Sequence, residues 1–447
     1  MNYDHIGQMI TIKIAEYGNN TALRYKIGDG WASLSYKEFG EKITSLACAM
    51  IQSGVKKGDS VGIYSANRYE WAVSDLACIL VGAISVPIYA TNTLDQARYI
   101  IQDAGIKLIY VGNLEQYTNL ATIHKDGHPL QVVSYDPAIE IDTKFATYFR
   151  DYLNVQDQEK LIKEMNLRSG TIKSDDVSTV IYTSGTTGHP KGVMLSHGNL
   201  FHQFECVDVN FNVSHKDVSL CFLPLSHVYE RMWSYYVYLK GAVQTYLEDP
   251  KQVIETLQEV KPTAMVSVPR LYEKIYAAVM NSQENASTIK RFLFTKAIAT
   301  GTAYNNLFFR NQAVPSSLAL KYKVLDKLVL SKVRAVVGGD KNFFSAGGAP
   351  LDKSIEEFFL ACGLLICQGY GLTETSPMIS YNTPENFKFG TVGKLVPNCE
   401  VRIAENGEIQ VKGPQVMKGY FNNPEATAES IVDGWFKTGD VGEFDED

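Results

Sequence analysis

Apolar and polar positions along this 447-residue chain alternate between two rhythms. Short β-branched runs read as buried strands. Longer segments, with apolar residues returning every three or four positions, read as amphipathic helices. Residues 1–30 fit an entry helix and a short hairpin. Ser35 and Glu38 then form a capping-box signal that opens a helix to about Gln52, ended by Gly54. Residues 60–64, 84–89 and 107–111 read as strands. Between them fall one helix over about 69–80 and another opened by the Thr93/Gln96 box and closed at Gly105. This alternation predicts βαβ units and a mostly parallel sheet. The stretch 112–175 is less regular and turns polar near 155–176, where a subdomain seam is expected.

A second α/β series runs from 177 to about 381. Its strands are expected at 177–181, 218–223, 264–268 and 334–337. Helices are expected from about Ser196 and from Asp352 to Cys362. From Gly390 the rhythm changes. Residues 392–396 and 400–404 read as strands, Asn406-Gly407 is a two-residue hairpin signal, and 408–412 is the returning strand. Pro424 starts a short helix. The fold class expected is α/β: two doubly wound, mostly parallel sheets with flanking helices plus a small C-terminal antiparallel β-barrel. The expected divisions are 1–175, 176–385 and 386–447.

Composition narrows the function classes. With 45% apolar and 20% charged residues, the chain reads as globular. A net charge of −7 argues against general nucleic-acid binding. Seven scattered cysteines with no C-x-x-C read as reduced core thiols of a cytoplasmic protein. The eight histidines show no metal-ligand spacing. No apolar run reaches the ~18 residues of a membrane span, and the N-terminus lacks a signal-peptide layout. Locally, residues 281–340 hold nine Lys/Arg against Glu284, Asp326 and Asp340. That excess is either a set of solvated helix faces or a basic surface for an anionic membrane.

The densest chemistry lies in Tyr182-Thr183-Ser184-Gly185-Thr186-Thr187-Gly188-His189-Pro190-Lys191-Gly192, expected as a loop between a strand and a helix. Glycines let backbone N–H groups approach an anion, Thr183, Ser184, Thr186 and Thr187 add hydroxyls, and Lys191 adds a positive charge. These parts suit a polyphosphate. The spacing is not that of the G-x-x-x-x-G-K-[ST] loop, because Pro190 stands where its second glycine should be. The second strong signal is Gln368-Gly369-Tyr370-Gly371-Leu372-Thr373-Glu374-Thr375, again at a strand end. Tyr370 can lie against a base, Thr373 can meet a phosphate, and Glu374 offers a hard oxygen to Mg²⁺, with Thr183 as its companion. Nucleotides bind at the carboxyl ends of strands in open α/β sheets.

These motifs resemble those of the adenylate-forming enzymes, which include acyl-CoA synthetases, luciferases and peptide-synthetase adenylation domains. The stretches Pro224-Leu225-Ser226-His227-Val228-Tyr229-Glu230-Arg231 and Val268-Pro269-Arg270-Leu271-Tyr272-Glu273-Lys274 are most similar to the long-chain fatty acyl branch. The resemblance implies that His227 faces the carboxylate and α-phosphate. It implies that Gly347-Gly348-Ala349-Pro350 forms one wall of an adenine pocket, and that Asp440 of Thr438-Gly439-Asp440 accepts from both ribose hydroxyls. It further implies ATP, Mg²⁺ and CoA as reaction partners and a fatty acid as the substrate. Segments 232–239 and 264–276 are candidates for the acyl tunnel wall. Family members continue past the Thr-Gly-Asp motif into a mobile C-terminal lid carrying an arginine and a lysine of the site. This chain is therefore expected to be the large domain alone, with weak or absent thioester formation. Transfer to an acyl carrier protein, an aromatic or bile acid substrate, and a non-catalytic adenylate-binding module remain alternatives. Self-association is left open.

Overall fold

The computed structural model describes residues 2–183, 188–339 and 341–447. Its largest sheet has eight strands, in the order Gly419–Tyr420, Lys191–Ser196, Val177–Thr183, Ile84–Ile88, Ser60–Tyr64, Leu108–Val111, Gln131–Ser134 and Ala146–Tyr148. The last six run parallel, and the first two are antiparallel additions at one edge. A five-stranded sheet orders Ala264–Ser267, Phe343–Ala346, Ile366–Gly371, Met378–Tyr381 and Lys394–Leu395, its first three strands parallel. A four-stranded sheet joins the N-terminal hairpin Thr21–Ile27/Gly30–Ser35 to Val243–Tyr246 and Val218–Cys221. The sheets are not consecutive blocks of sequence. The boundary expected near 175 falls just ahead of Val177–Thr183, which pairs with Ile84–Ile88 inside the large sheet.

The two cap signals translate directly: Ser35 and Thr93 each accept from the backbone of their N3 residue, whose side chain returns to the cap, and they open Tyr36–Gln52 and Leu94–Asp103. Ser196 and Asn199 form a further box that opens His197–Asn210. Four expectations change. Residues 334–337 belong to the helix Ser331–Val336 and its end. Leu330, Val333 and Val337 are buried at helical spacing, and the strand lies later, at Phe343–Ala346. The expected strand over 392–396 shrinks to Lys394–Leu395. The C-terminal barrel is an open antiparallel sheet, Glu400–Ile403, Glu408–Lys412, Trp435–Val441 and Ile431–Val432. Four strands with two short edges leave the ladder unclosed. Its Asn406-Gly407 hairpin is present, but only Gly407 takes positive φ (83°), so a four-residue turn closed by Gly407 N–H to Ala404 O replaces the two-residue one.

The core is aromatic and, among the described residues, holds one ion pair with both side chains buried. Arg231, on the helix Val228–Leu239, pairs with Asp75 of Tyr69–Leu80, donates to Thr179 Oγ1 of the large sheet (2.6 Å) and lies 5.3 Å from the Trp71 ring. Both charges are essentially inaccessible. This network ties the Val228–Leu239 helix to the large sheet. All seven cysteines are free thiols, six of them buried. Among the described residues, no helix is long and apolar enough to cross a membrane.

Candidate functional site

The strand Val177–Thr183 does not run through a loop into a helix. It returns as the strand Lys191–Ser196, with Thr183 opposite Lys191 and Tyr182 opposite Gly192. Gly192 is required there, since a Cβ would stand 2.8 Å from Val180 Cγ1 and 3.0 Å from the Tyr182 ring. Lys191 is therefore fixed at a strand start rather than carried on a loop. His189 stacks on Tyr99 at 4.6 Å and Tyr182 OH donates to Asp103 Oδ2 (2.5 Å), so the residues on either side of 184–187 are anchored to one helix, Leu94–Asp103. Ser184, Gly185, Thr186 and Thr187 lie outside the described residues. Gly188, just after them, is exposed.

The strand Ile366–Gly371 ends in a turn closed by Thr375, whose Oγ1 accepts from Leu372 N (2.9 Å). The chain then returns as Met378–Tyr381. A Cβ on Gly371 would meet Pro377 O at 1.8 Å, and one on Gly369 would meet Ser380 O at 3.1 Å. The glycines flanking Tyr370 answer to this backbone approach.

Two adjacent cavities open on that turn and share Gly348, Gly369, Tyr370 and Gly371. The first, about 190 Å³, has apolar walls from Val207, Phe211, Met232, Trp233, Val266 and Phe343; His227, Gly347 and Thr373 also line it. The second, about 490 Å³, adds Ala349, Pro350 and Asp440. Gly347 lies against the Tyr229 ring, whose hydroxyl is 2.5 Å from Ser345 Oγ. Gln368 lines neither cavity. It is buried, accepts from Leu351 N and donates to Thr391 O (3.2 Å), and so braces the Gly347–Pro350 turn from behind. Of the two expected tunnel walls, Met232, Trp233 and Val266 reach the apolar cavity, while Tyr235 to Leu239 are packed into the core.

The polar groups converge from distant segments. Tyr370 OH donates to Asp440 Oδ2 (2.8 Å). Tyr420 OH donates to Glu374 Oε1 (3.0 Å), and Lys191 Nζ lies 5.0 Å from the centre of the Tyr420 ring. Burial raises the pKa of Glu374 and Asp440 adds to the rise; the Tyr420 hydrogen bond and the Lys191 charge oppose it. A carboxylate so placed gains when a cation enters. His227 caps the helix Val228–Leu239, its Nδ1 accepting from Tyr229 N (3.2 Å), which leaves the proton of the neutral ring on Nε2. Burial lowers its pKa, so it is neutral at pH 7. Among the described residues, no group of three or more His, Cys, Asp or Glu could hold a metal.

Tyr420 has no signal in the sequence. It sits on a two-residue edge strand, and only its pairing with Met194 and Val193 brings it over Lys191.

The sequence profile of the AMP-binding enzymes matches residues 11–421. A long-chain-fatty-acid–CoA ligase, FadD15 of Mycobacterium bovis, is 36% identical over 93% of this chain and 68% of its own length. The long-chain-fatty-acid–CoA ligase ACSBG2 of Xenopus laevis is 31% identical over 99% of this chain and 61% of its own. The chain thus spans about two thirds of the length of these curated relatives. Among solved structures, a putative long-chain-fatty-acid CoA ligase from Rhodopseudomonas palustris superposes with a TM-score of 0.73 at 20% identity, covering 100% of this chain and 98% of that one. The N-terminal domain of FACL13 from Mycobacterium tuberculosis superposes with a TM-score of 0.67 at 20% identity, covering 99% and 98%. This fold, the matched profile and the sequence relatives agree: the chain belongs to the family of AMP-binding enzymes.

Proposed function

We propose that this chain carries the nucleotide and acyl sites of a long-chain fatty acid–CoA ligase. A fatty carboxylate oxygen attacks the α-phosphorus of ATP and pyrophosphate leaves. The CoA thiolate then attacks the acyl carbonyl of the adenylate and AMP leaves. The observation that carries this reading is the adjacency of an apolar cavity to a polar one across the Gly369–Tyr370–Gly371 segment. An acyl chain fits the first and an adenosine the second, with the reacting carboxylate and α-phosphate at their junction.

In this reading the Gly347–Pro350 backbone and Tyr370 enclose the base, and Asp440, held by Tyr370, accepts from the ribose hydroxyls. Thr373 and the neutral Nε2–H of His227 donate to the phosphate and carboxylate oxygens where the two anions meet. Lys191 and residues 184–188 take the outer phosphates. Donors preorganised on developing charge are each worth about 3–4 kcal/mol. Glu374 and Thr183 supply one carboxylate and one hydroxyl. That donor set fits Mg²⁺, which keeps several waters and takes the rest of its shell from substrate phosphates. When bound, the ion offsets the repulsion between the carboxylate and triphosphate. A cytoplasmic site of action, with the basic 281–340 region meeting a membrane, completes the proposal.

ATP–pyrophosphate exchange with a panel of acids tests it. Exchange should be greatest with long-chain fatty acids. Equal or greater exchange with aromatic or bile acids would remove the acyl assignment, and no nucleotide binding at all would remove the site.

A further inference from the structure

The segment that carries His227 leaves the sheet with no ladder to hold it. The strand Val218–Cys221 has ended, and Leu223 and Leu225, both buried, still need partners for their backbone groups. Asn67 supplies two. Its Nδ2 donates to Leu223 O (2.7 Å) and its Oδ1 accepts from Leu225 N (2.9 Å). Nδ2 also lies 3.4 Å from Sγ of Cys221, the last residue of the strand. An amide side chain presents a donor and an acceptor in one plane, as a peptide group does, so Asn67 takes the place of a neighbouring strand. The clasp leads directly to His227, whose N–H donates to the carbonyl of Pro224 (2.9 Å), between the two clasped leucines.

Asn67 is buried and lines neither of the two cavities, so it acts at a distance from the substrates of the proposed reaction. It stands in the loop between Ser60–Tyr64 and Tyr69–Leu80. The helix after that loop carries Asp75, which holds Arg231. One loop and its helix therefore fix the chain ahead of His227, through Asn67, and beyond it, through Asp75. The ring between these anchors caps Val228–Leu239 and lines the apolar cavity together with Thr373. We infer that Asn67 is a positioning residue for the reaction: it sets where the Nε2–H of His227 points in that cavity. The inference rests on the ligase reading for the task given to His227. The clasp itself stands on its two hydrogen bonds.

Asn67→Leu keeps the volume and removes both hydrogen bonds. A misplacement of about 1 Å can cost about a hundredfold in rate. Pyrophosphate exchange with a long-chain fatty acid should therefore lose about ten- to a hundredfold in kcat, with KM for ATP unchanged. In a His227→Ala background the same substitution should cost nothing further. The His227 ring resonances, identified in histidine-labelled protein by their absence from His227→Ala, should shift in Asn67→Leu. Asn67→Asp is the second variant, read alone if Asn67→Leu does not fold. Its protonated carboxyl can make both contacts and its ionised form loses the donor, so its exchange relative to the unsubstituted chain should fall as pH rises. Taking that ratio at each pH cancels the titration of Cys221, which faces Asn67, and of Glu230 beside it. A normal kcat, an added loss in the His227→Ala background, unmoved ring resonances or a pH-independent Asn67→Asp ratio would overturn the inference and leave the ligase reading standing. Ring resonances that move in a chain giving no exchange with any acid would keep the clasp and remove the ligase reading.

Discussion

Removing the Tyr420 hydroxyl separates two jobs of one residue. In Tyr420→Phe the ring stays under Lys191, so the 5.0 Å cation–ring contact persists, while Glu374 loses the donor at 3.0 Å. A hydrogen bond to a charged group is worth about 1.5–3 kcal/mol, and a water that replaces the hydroxyl recovers part of it. A net loss of about 1–2 kcal/mol corresponds to about five- to thirtyfold in kcat/KM for adenylation at neutral pH. The direction with pH follows from the environment of Glu374. Its carboxyl is already raised by burial and held down partly by Tyr420. Without that hydrogen bond the carboxylate is protonated at higher pH, so the acid limb of the pH–rate profile moves up and the deficit narrows as pH rises. Pyrophosphate exchange across pH 5.5–9 (roughly the range in which such limbs fall) reads both effects. An unchanged acid limb with a normal rate would refute the role given to Glu374. A pH-independent loss would assign the hydroxyl to packing alone.

Other expectations follow from single contacts. Arg231→Met leaves Asp75 buried without its cation and should destabilise the protein by about 3–5 kcal/mol in urea unfolding, whereas Arg231→Met with Asp75→Leu should recover most of that. Trp233→Leu deepens the apolar cavity and should move the preferred acid toward longer chains, at about fourfold in kcat/KM per added methylene, in a competition assay with mixed acids. Glu230 is fully buried, with Oε2 unpartnered, and burial lifts its pKa from 4.5 to about 8. The folded state therefore holds a proton that the unfolded state releases above pH 4.5. Stability should fall as pH rises from about 5 to 8, and Glu230→Gln should flatten that slope in thermal melts.

Much of the fold was legible because local signals decided it. Capping boxes at Ser35 and Thr93 and the β-branched runs needed no tertiary partner to be read. The failures share a cause. The loop expected over 182–192 ends instead in the strand Lys191–Ser196, whose strand character comes from antiparallel pairing with Val177–Thr183, with Gly192 opposite Tyr182. Residues 334–337 looked like a strand in isolation, and the burial of Leu330 and Val333 one turn earlier makes them helical. In the site, Gly369 and Gly371 were legible as the residues flanking Tyr370, but the backbone approach of Ser380 and Pro377 that requires them was not. The roles of Tyr420, of Gln368 as a brace, and of Tyr370 as the partner of Asp440 arise only from contacts between segments far apart in sequence.

The proposed site grips one nucleotide with four distant segments. A crystal structure of this protein with AMP bound tests that most directly. The adenine should lie against the Gly347–Pro350 turn and Tyr370, the ribose hydroxyls should meet Asp440, and the phosphate should point toward Thr373 and Glu374. AMP seated in any other cavity, with Asp440 and Glu374 untouched, would contradict it.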